Sequence, residues 1–180
     1  MVQAVTTDDI HIALLRGVNV GGHGKLPMAG LRAILTRLGA RDVATYIQSG
    51  NAVFRGAVSG ADITAAVAAE MGFRRDCLVL SDHQLGRVIA NNPFDAAKAT
   101  PKALHFCFLG ASSNADQASL DAVKAPEESC LLTDSVLYLN SPGGISASKL
   151  AGKLDRLLGV PVTVRNWNTV SKLAEMARLI

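Results

Sequence analysis

The chain has 180 residues, nearly half of them apolar, and a formal net charge of +3 at pH 7. That length buries a core without disulfides or metal. The mild charge is split as nine Lys/Arg against seven Asp/Glu in residues 1–90 and nine against eight in 91–180, which excludes a basic tail or block aimed at nucleic acid or a membrane surface.

The predicted elements follow in chain order. His11 to Leu15 reads as a strand. Pro27 suits the first turn of a helix in which Leu31, Ile34, Leu35 and Leu38 recur at i, i+3, i+4 and i+7, with Gly39 as its stop. Val43 to Ile47 and Ala52 to Phe54 are strands around the turn signal Ser49-Gly50-Asn51. Ile63, Val67 and Met71 mark a second helix ending at Gly72, and Cys77 to Leu80 is the next strand. Ser81 and Gln84 then form a capping box for a helix carrying Leu85, Val88 and Ile89, ended by Asn92-Pro93.

The second half has the same order. Leu104 to Leu109 is a strand, and Asn114 caps a helix running through Leu120 and Val123 to Pro126. Ser129 to Leu132 and Val136 to Leu139 flank the turn Thr133-Asp134-Ser135. Leu150, Leu154, Leu157 and Leu158 share a helix face closed by Gly159, Val160 to Arg165 is the last strand, and Thr169 to Ile180 the last helix. Each half therefore reads β-α-β-β-α-β plus a helix. The expected fold is α+β, a duplicated ferredoxin-like arrangement with mostly antiparallel sheets, its halves at 10–95 and 96–180 packed as one unit. The alternative is one continuous mixed sheet with helices on one face.

Cys77, Cys107 and Cys130 are odd in number and share no metal-ligand spacing, so they read as buried thiols of a reducing compartment. The polar first nine residues lack the features of a secretory signal, and no apolar run approaches the ~18 residues that span a bilayer. A cytoplasmic protein with no membrane partner, no metal and no cofactor is expected.

Chemistry concentrates in a few polar runs. Between Arg16 and Lys25, four glycines fall in eight residues (Gly17, Gly21, Gly22, Gly24), giving backbone N–H groups and positive charge suited to an anion. Leu26 stands where a P-loop needs Ser or Thr, and Asn19 where it needs its first glycine; a dinucleotide fingerprint fails at Pro27. What remains is an anion or substrate loop, or a Gly-rich connection using positive φ. Tyr46, Gln48 and Asn51 lie along the first hairpin, with Tyr46 and Gln48 expected on one face. Arg165 is a fork for carboxylate or phosphate, Asn166 and Trp167 follow it, and Asn168 or Thr169 is the expected cap of the last helix. Trp167 is either a stacking surface or a core residue, and Lys149 follows the cap residue Ser148. In a β-α-β-β-α-β unit Arg16 and Asn51 are expected to border one cleft, with Lys149 and Arg165 reaching it from the second half.

Several of these runs, Ile12-Ala13-Leu14-Leu15-Arg16-Gly17-Val18-Asn19-Val20-Gly21-Gly22, Thr45-Tyr46-Ile47-Gln48-Ser49-Gly50-Asn51-Ala52-Val53-Phe54, Asn92-Pro93-Phe94, Ser148-Lys149-Leu150 and Arg165-Asn166-Trp167-Asn168-Thr169-Val170, resemble the bacterial "domain of unknown function 1697" family from about residue 11 to the C-terminus. The chain departs from its pattern at Val162-Thr163-Val164, where the family usually has an Ala-Thr-Thr-like run. The resemblance implies a soluble α+β protein and brings no reaction.

No H-E-x-x-H helix, G-x-S-x-G nucleophile elbow or carboxylate pair is present, and no pair of the four histidines has metal spacing. The expected function is a binding module for a phosphate-bearing, nucleotide-like small molecule. Arg16, Lys25 and Arg165 hold phosphate, Asn19, Gln48 and Asn51 read polar edges, and Trp167 or Tyr46 stacks; Lys149 and Asn166 complete the set. Nucleic acid is possible but not favoured, because the aromatic strand signature of RNA-recognition sheets is absent. The alternatives are a protein-interaction or structural domain, or a small-molecule enzyme with an anion-stabilising pocket in which His23 or Lys25 titrates.

Overall fold

The computed structural model describes residues 8–19, 25–95 and 100–180. Val20 to Gly24, with His23 and three glycines of the Gly-rich loop, lie outside them. The chain divides into two units, Met1–Arg87 with Lys172–Ile180, and Val88–Ser171.

The first unit holds β1 (Ile10–Leu15), α1 (Met28–Arg37), β2 (Arg41–Tyr46), β3 (Asn51–Arg55), α2 (Gly60–Met71) and β4 (Cys77–Ser81), and α3 (Asp82–Ala90) begins in it. Its antiparallel sheet has the order β2-β3-β1-β4. Pro27, with φ −61°, leads into α1, a place where its missing N–H costs nothing. Ser59 and Asp62 close a reciprocal capping box on α2, and left-handed Gly72 ends that helix. Alternation sends Ala13, Leu15, Ala52 and Phe54 to one face, where Leu31, Ile34 and Leu35 of α1 and Ile63 and Val67 of α2 bury them. Full burial of each large side chain stabilises the unit by about 1.5–3 kcal/mol.

The second unit holds β5 (Leu104–Leu109), α4 (Gln117–Asp121), β6 (Ser129–Leu132), β7 (Val136–Asn140), α5 (Leu154–Leu158) and β8 (Val162–Asn166), with α6 (Trp167–Ala177) running on into the segment that belongs to the first unit. Its antiparallel order is β6-β7-β5-β8. Cys107, Leu109, Leu137 and Leu139 pack under Leu120, Leu150, Leu154 and Leu158. On the opposite face Phe106 stacks on Trp167 at 5.9 Å between centroids and meets Tyr138 edge-on at 5.6 Å. The fold is thus α+β with two separate four-stranded antiparallel sheets, not one continuous mixed sheet.

Several expected elements differ in detail. The helix expected from Asn114 is a single short turn, because Asp116, not Asn114, accepts the Ser119 N–H. The Leu150–Leu158 face forms a 3₁₀ turn, Ala151–Lys153, followed by the brief α5; Ser148 Oγ caps that turn by accepting the Ala151 N–H. The last helix starts earlier than expected: Asn166 Oδ1, at the end of β8, accepts the Thr169 N–H, so Asn166 is its cap and Asn168 is not. At Tyr46 the second strand stops, since Ile47 has φ +47°, and Gln48 therefore sits in the turn and not on the strand face of Tyr46.

Candidate functional site: an arginine-lined groove at the end of the first sheet

Of the ten residues singled out in the sequence, six belong to the first unit (Arg16, Asn19, Lys25, Tyr46, Gln48, Asn51) and four to the second (Lys149, Arg165, Asn166, Trp167).

In the first unit the end of β1 and the β2–β3 hairpin are stitched together. Leu15 N–H donates to Gly50 O at 2.8 Å, and Asn51 pairs with Leu14 on one side and Tyr46 on the other. Asn19, held at φ +56°, clips this corner: its amide donates to both Leu26 O and Gln48 O, and its Oδ1 accepts the Leu26 N–H at 2.9 Å. A left-handed Asn is tolerated because its short amide bonds nearby backbone. Asn51, fully buried, donates to Tyr46 O and Ser49 Oγ. Both amides thus act on the protein's own backbone and shape the corner. Gly50 is obligatory there: at φ +76°, an added Cβ meets Val18 Cγ2 at 2.5 Å and Leu15 Cβ at 2.8 Å. Lys25 and Gln48 are exposed, and Tyr46 is half-buried.

Beside this corner lies an open groove of about 460 Å³ lined by Arg16, Gly17, Arg74, Arg75 and Asp76. Arg16 N–H donates to Asp76 O at 2.9 Å, tying the end of β1 to the approach to β4. The Arg75 guanidinium is fixed: Nε donates to Gly17 O at 3.0 Å, Nη1 to Arg74 O at 2.9 Å, and its carbon lies 5.2 Å from the Phe73 ring centre. Those bonds occupy two of its five N–H donors. Arg74 stands 4.0 Å from Asp76, an exposed pair of little energetic weight. Three guanidinium groups and one carboxylate give the groove a net charge near +2. Arg74 and Arg75 escaped the sequence reading; the available signal was an arginine pair directly after the helix-ending Gly72-Phe73.

In the second unit Lys149 is exposed, while Trp167 is half-buried by its stack on Phe106. Arg165 Nη1 donates to Val164 O. Buried Glu128 is held by the Ala125 N–H at 2.9 Å, the Ser141 hydroxyl at 2.9 Å and the Ser148 hydroxyl. Burial pushes its carboxyl up, but those bonds and the Lys124 charge outweigh it and leave the group below the usual carboxylate value. His105, also buried, places Nδ1 2.9 Å from Ala103 O; burial lowers its imidazole, against the pull of that carbonyl. Burial raises the thiols of Cys107 and Cys130, which argues against nucleophilic roles for both. Among the described residues no group of three His, Cys, Asp or Glu is placed to hold a metal ion, and no helix is long and apolar enough to cross a membrane.

An α+β chain of two four-stranded antiparallel sheets with a basic corner is the class of protein these features define. The family model described as "Protein of unknown function (DUF1697)" matches residues 9–138, and the chain belongs to that family. The match covers the stitched corner and the arginine groove and stops short of Lys149 and Arg165–Trp167. Among solved structures the chain is similar to one described as the structure of conserved bacterial protein SP0830 from Streptococcus pneumoniae, at 26% identity and a TM-score of 0.68, covering 94% of this chain and 98% of that one. No curated protein matches.

Proposed function

We propose that the protein binds a phosphate-bearing small molecule of nucleotide type in the groove of Arg16, Arg74 and Arg75. The observation that carries the reading is the fixed Arg75 guanidinium, held by Gly17 O and Phe73 beside two further arginines. A pre-oriented fork loses less side-chain freedom on meeting a phosphate than a mobile lysine does. Lys25, the exposed cation at the far end of the Gly-rich loop, supplements this charge. A nucleotide suits the groove better than a nucleic-acid strand, because the charge is local and the chain as a whole is only mildly basic. The groove's location in a soluble, cytoplasmic protein fits a metabolite ligand.

The same strand order in both sheets, with β4 running straight into α3 and β8 into α6, further supports reading the fold as one ferredoxin-like unit repeated. A structural role is the second reading for Asn19 and Asn51 in particular, whose amides are engaged by neighbouring backbone and hydroxyl groups.

The test is equilibrium binding of nucleoside mono-, di- and triphosphates, sugar phosphates and inorganic phosphate, at low and at physiological salt. Saturable, salt-sensitive binding is expected, weakened about tenfold or more in Arg75→Ala and in Arg16→Ala, since each removes a charge-assisted hydrogen-bond donor. Unchanged binding in both folded variants, or none in the native protein, overturns the assignment.

A further inference from the structure

On the outer edge of β4 two of the three outward N–H groups carry a side-chain cap and the one between them does not. β4 is an edge strand, and the ladder fixes which of its groups point outward. Leu15 N–H donates toward β3, to Gly50 O, and Arg16 N–H toward the β4 side, to Asp76 O. On β1 the odd residues therefore face β3 and the even residues face β4. In the register Leu14↔Leu78 and Ile12↔Leu80, Leu78 and Leu80 carry the ladder, and the N–H and C=O groups of Cys77, Val79 and Ser81 point away from the sheet. Two side-chain bonds agree with that alternation: Cys77 N–H donates to Thr64 Oγ1 at 3.1 Å, and Ser81 N–H to Gln84 Oε1 at 2.8 Å. Val79 stands between them, and no cap of this kind falls on it.

Val79 instead lines a cavity of about 490 Å³, together with His11, Val58, Gly60, Leu78 and Gln84. Gly60 makes the cavity's shape possible: a Cβ there falls 2.1 Å from Cys77 O, so only glycine lets the first turn of α2 stand this close to the strand. His11, 8% exposed, has Nδ1 3.1 Å from Asp9 O. A carbonyl only accepts, so Nδ1 donates to Asp9 O. Gln84, its Oε1 engaged by Ser81, retains an NH₂ donor. The cavity thus presents one N–H and one C=O from a single extended residue and one further amide donor, between largely apolar walls.

We propose that this cavity, separate from the arginine groove, binds a compact molecule through an amide edge: a lactam or primary carboxamide whose adjacent C=O and N–H pair with the Val79 N–H and C=O. The volume suits a small ligand. An added peptide strand does not fit the chemistry, because strand addition uses alternate residues along the edge and Thr64 and Gln84 already occupy the flanking N–H groups. A carboxylate offers acceptors alone and sets an oxygen against Val79 O.

The experiment follows backbone amide signals of the ¹⁵N-labelled full chain. Without ligand, the Val79 N–H is expected to exchange with solvent at least about tenfold faster than those of Leu78 and Leu80, as an unpaired edge group does. Titration with 2-pyrrolidinone, uracil and benzamide is expected to move the Val79 signal saturably, benzoate is expected to leave it in place, and Ala57→Trp, at an exposed position on the cavity wall, is expected to abolish the response. Exchange at Val79 as slow as at its neighbours overturns the proposal. So does an equal response to benzoate, or no response to any of the amides up to about 10 mM, a concentration that saturates millimolar fragment binding. None of these outcomes depends on phosphate binding, so this site and the groove stand or fall separately.

Discussion

β4 and β8 hold the same place in two sheets of the same order, yet their outer edges are treated differently. On β8, Leu109 N–H points to Ser135 O on the β7 side, so Phe106 and Phe108 face β8 and the groups of Val162, Val164 and Asn166 point outward. Val162 N–H is capped by Asp155 Oδ1 at 3.0 Å, and Val164 O accepts from its neighbour Arg165 at 2.8 Å. At the equivalent place on β4, Cys77 N–H is capped by Thr64, but Val79 opens into a cavity. An exposed strand edge invites unwanted pairing, and β8 blunts it with an acid and an arginine. The two edges differ at the central carbonyl: that of Val164 is covered by Arg165, whereas Val79 lines a cavity. That bond also changes the meaning of Arg165, which sequence suggested as a phosphate fork: at least one of its N–H groups finishes the edge of its own sheet.

The sharpest way to stress this comparison is at the two hairpins. Gly50→Ala forces a Cβ into Val18 and Leu15 at a positive φ and is expected to cost more than about 2 kcal/mol, read as a lowered urea midpoint. The second hairpin turns without glycine, closed by the Thr133 hydroxyl on Val136, so Asp134→Ala at its exposed tip is expected to stay within about 0.5 kcal/mol. Equal losses at the two tips would show that the corner at Gly50 is less tightly packed than its contacts indicate. A middle effect is expected at the edge caps. Thr64→Val removes the buried hydroxyl that accepts the Cys77 N–H and is expected to cost about 1–3 kcal/mol, with faster Cys77 amide exchange. Asp155→Ala removes the matching cap on β8 from an exposed side chain, where water replaces it, and is expected to cost less than Thr64→Val.

The smallest effect is an acid-linked one in the second unit. His105 titrates below its ordinary 6.5, so the unfolded chain takes up its proton first; its contribution is complete above about pH 6.5 and declines as the pH falls beneath that value. Glu128, held below its ordinary 4.5, contributes fully above that pH and is lost as the pH drops through the folded value. Urea midpoints should therefore fall in two steps on acidification. Glu128→Gln is expected to flatten the lower step alone, and a lower step of undiminished size in that variant would assign it to another group.

The strands and the helices of the first half were legible because alternation and 3.6-residue spacing are written in apolar letters: Ile12 to Leu15, Leu31 to Leu35, Leu104 to Leu109. The Ser81–Gln84 box was legible too, and both of its bonds form. Helices α4 and α5 were overdrawn because buried leucines at helical spacing are equally satisfied by short turns, and Leu150 is buried from a 3₁₀ cap. The candidate site was half visible. Arg16 stands in the groove, but Arg74 and Arg75 lie in a charged run with no period to flag them. Asn19 and Asn51 were noticed for polarity that serves the backbone. Val79 could not be noticed at all, since an unpaired backbone N–H has no letter.

The clip at Asn19 makes one amide a shared fastener for two stretches of chain. It grips Leu26 by both its N–H and its C=O and reaches across to Gln48, so the approach to the first helix and the turn of the first hairpin are pinned by the same side chain. Removing that amide releases both at once, and the corner of the first sheet therefore loosens as a unit and not strand by strand.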